Sequence, residues 1–411
     1  MLMNFGSIGR INRRIFMGKY RAIFDQVIDR KGTGSLKYDY GPERTGRQDL
    51  LPMWVADMDF PAPKEALEAV IQRTRHGIFG YTEPDDAYYQ ALTDWYKKRH
   101  GWLIDRRWNT VTPGVVYGIA VTIRAFTKPG DAVLIQPPVY YPFRETIEDN
   151  GRRLVENELL YKDGAYHLDL VDFEEKIRRN KVKLFLLCNP HNPVGRVWRE
   201  DELRQIAEIC KRYEVLVFAD EIHADFVYPG YRYIPFASLG EDIAGMTITG
   251  TSASKTFNLA GLQVSNILIS DRTLRTVFRR EHAAGGYSQS NTLGLTATAA
   301  AYRYGEEWLH DLKEYLAGNL EYIRKFLRER APGIRLVEPE GTYLVWLDCS
   351  GIASAADEVT EFFQKKAGIW GDDGKIFGEK SALFERLNIA APRSVIEQAM
   401  AQIERAYNGS I

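Results

Sequence analysis

The stretch LFLLCNPHNPVGRVWREDELRQIAEICKRYEVLVFADEIH, residues 184–223, holds two short apolar runs with a helix-patterned segment between them. Leu184–Cys188 and Val215–Asp220 are too short for helices and show no polar alternation, so they read as strands buried on both faces. Between them Leu203, Ile206, Ala207 and Cys210 fall at i, i+3, i+4 and i+7, which predicts an amphipathic helix over Asp201–Tyr213. Strand, helix and strand in that order imply a crossover connection and a parallel pair.

Outward from this unit the pattern repeats. Ala132–Gln136, Met246–Thr251 and Val264–Ser270 are further short apolar runs, and Val115–Phe126 has a helical pattern. The expected class is α/β, a mostly parallel central sheet with helices on both faces. The chain ends differ. Trp308–Arg330 and Ser394–Tyr407 carry long helical patterns, and Thr342–Asp348 alternates like a half-exposed strand. They suit a smaller α+β domain built from both ends. The expected division is an extension at 1–18, the N-terminal part of the small domain at 19–75, the large domain at 76–305, and the C-terminal part of the small domain at 306–411.

Composition narrows the function classes. In 411 residues the apolar fraction is 45% and the aromatic fraction 12%, which excludes a disordered chain. A formal net charge of -1 gives no global reason to bind nucleic acid or an anionic membrane. No run approaches 18 uninterrupted apolar residues, and no signal-peptide pattern opens the chain. Arg10, Arg13 and Arg14 precede a second candidate start at Met17, so residues 1–18 read as an extension, with targeting as the alternative. Cys188, Cys210 and Cys349 form no C-x-x-C pair, which points to a reducing, cytoplasmic setting without a zinc site.

Four apolar runs end in chemistry-bearing segments: PPVYYP, NPHNPVG, EIHADF and SASKTF. In an open α/β sheet the ligand sits beyond the carboxyl ends of the strands, so four segments converge on one edge. Lys255 follows one strand in a Ser/Thr-rich turn, and Asp220 ends another, where burial demands a partner. Asn192 lies in a rigid Asn-Pro turn. Gly114 opens the Val115–Phe126 pattern, and free amides at a helix start bind phosphate. Tyr140 follows a double proline, where its ring can stack on a planar ligand. An amine, a buried acid, a phosphate cradle, an amide and a stacking ring are what pyridoxal 5′-phosphate requires. In that set Asp220 keeps the pyridine nitrogen protonated, Asn192 bonds the ring oxygen and Ser252 helps to hold the phosphate.

With these residues in place, the chain resembles the class I/II aminotransferase family of fold type I pyridoxal-phosphate enzymes, from about Lys31 to Tyr407. Within it the chain is most similar to the C–S lyase branch, the MalY/PatB-type cystathionine β-lyases. The segments KYDYGPER, LPMWVADMDFPAP, FGYT, QPPVYYPF, CNPHNPVGRVW, DEIHADF, TSASKTFNLAGLQ, EGTYLVWLDC and RLNIAAPRS carry the likeness. The resemblance implies that Lys255 links to the cofactor and moves the Cα proton, and that Asp220 pairs with the pyridine nitrogen. It implies that Asn192 and His223 face the ring oxygen and that Tyr140 stacks on the ring. Gly114, the Val115 and Val116 amides and Ser252 would hold the phosphate. Arg386 would bind the substrate α-carboxylate, and Tyr81 and Asn291 would approach from the other subunit of a homodimer. Two positions depart from the aminotransferases: Gln263 stands where they carry a phosphate-binding Arg, and His223 where Tyr is common.

Bland alternatives stand beside these roles. Tyr81 also reads as a core residue, Arg386 as a surface cation, and Trp54 and Trp370 as either core or pocket wall. Asp220 with His223 lacks a third ligand, so no metal is expected. The expected reaction is β-elimination of a sulfur amino acid, cystathionine above all, to thiol, pyruvate and ammonia. An aminotransferase is the alternative, and a regulatory binding protein on the same fold the second.

Overall fold

The computed structural model describes residues 19–409, so the expected extension 1–18 lies outside the described residues. Each apolar run singled out above forms a strand. β1 (Asn109–Thr112), β2 (Ala132–Ile135), β3 (Arg153–Glu156), β4 (Leu184–Cys188), β5 (Leu216–Asp220), β6 (Thr247–Thr251) and β7 (Ser265–Leu268) make one seven-stranded sheet. Their order is β1-β7-β6-β5-β4-β2-β3. The run from β6 to β3 is parallel. Only β7 is reversed, antiparallel to both β6 and β1.

The uninterrupted apolar runs have a direct cause. Along β4, Leu184, Leu186 and Cys188 pack with Val115, Ile119 and Ile123 of the helix Val115–Phe126 on one face. Phe185 and Leu187 pack with Leu203, Ile206 and Cys210 of the helix Glu200–Arg212 on the other. Successive side chains of a strand point to opposite faces, so a sheet covered twice needs apolar residues at every position. Gly250 in β6 permits the close approach of the first helix. A Cβ there would lie 2.7 Å from Phe218 Cζ and 2.8 Å from Val115 Cγ1.

The helices that matter below are α1 (Lys64–Arg75), α2 (Val115–Phe126), α3 (Glu200–Arg212), α4 (Thr292–Tyr304), α5 (Glu306–Arg330) and α6 (Arg393–Asn408). A second, antiparallel sheet has the order β8-β9-β11-β10, from β8 (Arg335–Val337), β9 (Leu344–Asp348), β10 (Asp372–Asp373) and β11 (Phe384–Asn388). The alternation read over 342–348 does not become half-exposure, because all five residues of β9 are buried. Val345 and Leu347 join the cluster formed with α5 and α6, and Trp346 packs against Phe377 and Phe384 on the opposite side.

The N-terminal region touches both parts of the chain. Leu51–Pro52 pairs in parallel with Ile369–Trp370, while α1 packs along α4. Cys188, Cys210 and Cys349 are free and buried. No described helix is long and apolar enough to cross a membrane.

Candidate active site

The carboxyl ends of β4, β5 and β6 bring together Asn192, Asp220 and Lys255. Asp220 is the last residue of β5 and is buried. Its Oδ1 accepts from the Ile222 N–H at 3.1 Å, and no side chain among the described residues bonds to it. Burial pushes its carboxyl up to about 7, against the opposing pull of the Lys255 charge.

Lys255 lies in the single turn Ala253–Thr256 that follows β6. Its Nζ donates to the Ala56 carbonyl at 2.8 Å, and the Tyr343 hydroxyl donates to the same oxygen at 3.0 Å. Burial brings the amine down to about 8; Asp57 and Asp220 oppose that fall, and Arg386 adds to it. Three residues on, Asn258 holds a positive φ of 58°. Its Nδ2 donates to the Met58 and Phe60 carbonyls at 3.0 and 2.8 Å, and its Oδ1 accepts from the Met58 N–H at 3.0 Å. The lysine segment and the irregular 55–60 segment are thereby clamped together.

Arg386, in the centre of β11, is buried, which disposes of its surface reading. Its Nη1 donates to Asn192 Oδ1 at 3.0 Å, and its Nη2 donates to the Trp54 carbonyl at 3.3 Å and pairs with Asp372. Its Nε is buried without a partner among the described residues. The Trp54 and Trp370 indoles stack with centroids 4.4 Å apart, and the guanidinium itself lies over the Phe377 ring, 4.7 Å from its centroid. His223 is buried, and its Nδ1 has no partner among the described residues. Burial, reinforced by the Lys255 and Arg386 charges, lowers its imidazole to about 3, so the ring is neutral.

Tyr140 is half-buried, and burial raises its phenol; Tyr141, Asp220 and Asp372 add to the rise, and the Arg386 charge opposes it. Gly114 caps α2 in an extended conformation, and a Cβ there would meet open space. The first-turn amides, Val115 and Val116 among them, have no acceptor within the helix. Ser252 is committed elsewhere: its hydroxyl donates to the Val264 carbonyl at 2.6 Å and accepts from the Ser254 N–H at 3.0 Å. Gln263 is exposed, with a φ of 50°.

Tyr81 is 93% exposed, so its core reading is corrected: Thr82 Oγ1 meets Thr292 Oγ1 at 2.8 Å and holds the Gly80-Tyr81-Thr82 turn on the surface. Asn291, one residue before Thr292, caps α4 by accepting from the Leu293 and Gly294 N–H groups at 3.0 and 3.1 Å. Tyr81 and Asn291 therefore belong to one exposed patch. Sequence reasoning passed over Ala56, Asp57, Tyr343 and Asp372. The first two lie in WVADMDF, a segment carrying the family likeness, but Asp372 sits in GDDGK without any signal of its own. The group His310, Asp311 and Glu314, whose ligand atoms lie within 4.8 Å of one another, is on α5 and not at Asp220 or His223.

Comparison with known proteins shows the family. Residues 48–403 match the family model for aminotransferase class I and II, and the chain belongs to that family. It is 41% identical to the cystathionine beta-lyase PatB of Bacillus subtilis, over 94% of this chain and 100% of that protein. It is 34% identical to the protein MalY of Escherichia coli, over 93% of this chain and 98% of that one. Cystalysin from Treponema denticola, whose crystal structure contains pyridoxal 5′-phosphate, superposes with a TM-score of 0.91 at 38% identity, covering 94% of this chain and 98% of its own.

Proposed function

We propose that this chain is a pyridoxal-phosphate-dependent carbon–sulfur lyase that removes a thiol from Cβ of a sulfur amino acid, with cystathionine the favoured substrate. The observation that carries the reading is Asp220, a buried carboxylate without a side-chain partner, on the sheet edge that also holds Lys255. A carboxylate left so costs stability unless a cation or a protonated ring nitrogen meets it. The other residues fit the same group. His223 Nδ1 and Arg386 Nε are buried without partners, and the open space at Gly114 fronts the free amides of α2. The relatives named above supply the reaction type.

Bound pyridoxal phosphate supplies an electron sink for the charge left on Cα. Asp220 would keep the proton on the pyridine nitrogen. Asn192 and neutral His223 would be the groups to bond the ring oxygen, and the Tyr140 ring would stack on the cofactor. The Val115 and Val116 amides, with Gly114 keeping the approach open, would hold the phosphate; Ser252 would brace that cradle while its hydroxyl donates to the Val264 carbonyl. Arg386 would take the α-carboxylate in a charge-assisted hydrogen bond from its unpartnered Nε. Lys255, with its amine near neutrality, accepts the Cα proton on Nζ. The Cβ–S bond breaks with its electron pair on sulfur, the thiolate gains a proton, and hydrolysis of the remaining enamine gives pyruvate and ammonia.

The same reading makes the chain a homodimer. Ile78 and Phe79 are exposed beside Tyr81, and Asn291 adjoins them, so the patch offers apolar area and two polar groups to a second copy. Holoenzyme supplied with L-cystathionine and no keto acid should release pyruvate and thiol in equal amounts over many turnovers. Release of neither, with amino-group transfer to an added keto acid, would replace the lyase by an aminotransferase.

A further inference from the structure

Arg44 presents an unmatched charge at the edge of this site. Its guanidinium lies over the Trp54 indole, 5.1 Å from the ring centroid, and its side chain is exposed. No ion pair or side-chain hydrogen bond to it occurs among the described residues; only its backbone N–H is engaged, by Tyr40. Trp54 connects it to the substrate-binding arginine: the indole stacks on Trp370, and the Trp54 carbonyl accepts from Arg386 Nη2 at 3.3 Å. The Arg44 and Arg386 charges both bear on the Tyr141 phenol, which Asp372 also reaches. Trp54 thus contacts both cations, an exposed guanidinium through its indole and a buried one through its backbone carbonyl.

Stacking on an indole fixes the plane of a guanidinium and leaves its N–H edge open for a planar acceptor. Arg386 is different: Asp372 already holds one of its nitrogens, Asn192 another, and its charge is shut inside. A second anionic group on the substrate, beyond the scissile bond, would find Arg44 on the solvent side of Trp54. Cystathionine carries such a group, a carboxylate on the departing homocysteine half. Cysteine and S-alkylcysteines do not.

We propose that Arg44 is the docking point for a carboxylate on the departing thiol, so that diacidic thioether amino acids are preferred to short ones. This rests on the lyase reading above. The test compares kcat/KM of the holoenzyme on L-cystathionine and S-ethyl-L-cysteine for the parent chain, Arg44→Gln and Arg44→Lys. Arg44→Gln should lose about 10- to 50-fold on cystathionine, mostly in KM, as expected for one charge-assisted contact, and less than about twofold on S-ethylcysteine. Arg44→Lys should recover part of the loss. Binding of glutarate to the holoenzyme, followed by tryptophan fluorescence, should weaken by about fivefold or more in Arg44→Gln. An equal fall on both substrates would make Arg44 a prop for Trp54 and overturn the proposal, as would no change on either. If the parent chain cleaves S-ethylcysteine but shows no preference for cystathionine, the lyase stands and the Arg44 site falls. If it cleaves neither, both fall.

Discussion

Asp220 and Asp225 lie five residues apart, both buried, and their surroundings drive them in opposite directions. Asp220 has one backbone donor and rises to about 7. Asp225 accepts from Arg99 Nε at 3.0 Å, Thr256 Oγ1 at 2.8 Å and Trp95 Nε1 at 3.2 Å, with His100 Nε2 at 3.3 Å. Burial pushes Asp225 up as well, but these donors outweigh it and hold the carboxyl well below the usual range. A buried acid with its lone pairs filled is a structural joint, here between the helix that carries Arg99 and the Lys255 turn. A buried acid left open is poised for a ligand.

Mutations can break that contrast. The largest expected effect is at the amine: Lys255→Ala should cut pyruvate release by at least about ten-thousandfold, since it removes the group proposed to accept the Cα proton, with the circular-dichroism spectrum unchanged. Asp225→Ala should act on stability instead, at about 3–5 kcal/mol, by leaving the Arg99 charge and the Trp95 and Thr256 donors unmatched; urea unfolding measures it. Asp220→Asn should lower kcat/KM by about a hundredfold, because an amide holds a proton on the pyridine nitrogen poorly.

The two acids also differ in the sign of their pH dependence. Asp220 sits higher folded than unfolded, so the cofactor-free chain binds extra protons between about pH 4 and 7 and loses stability as pH rises through that window. Asp220→Asn should flatten this slope and raise the melting temperature of the cofactor-free chain at pH 8. Asp225 sits lower folded than unfolded, so its stabilisation is present at neutral pH and fades as pH falls below about 4. Equal slopes in parent and Asp220→Asn chains would end the comparison. The smallest effect is expected at Ser252. Its hydroxyl caps a turn and bonds to Val264, so Ser252→Ala should lose about 1 kcal/mol of stability, with cofactor affinity changed by less than about threefold.

Much of the large sheet was legible because its signals are local. Leu184–Cys188 is a strand residue for residue, and Val115–Phe126 a helix with the same ends, since burial on both faces and helical periodicity are written in adjacent positions. Asp220, Asn192 and Lys255 were visible for a related reason, each lying at or just after a strand that periodicity had located. The reversal of β7, the full burial of β9 and the exposure of Tyr81 were not visible, because each depends on which element packs alongside.

By itself the sequence determined the class of sheet and the strand ends at which Asn192, Asp220 and Lys255 stand. Tertiary structure alone decided that Lys255 meets a carbonyl 199 residues away and that Arg386 shares its charge with Asp372. It also left Asp220 open while saturating Asp225. Periodicity records how a segment meets its core, whereas charge and hydrogen-bond partnership are settled between segments distant in the chain, once packing has chosen what stands beside what.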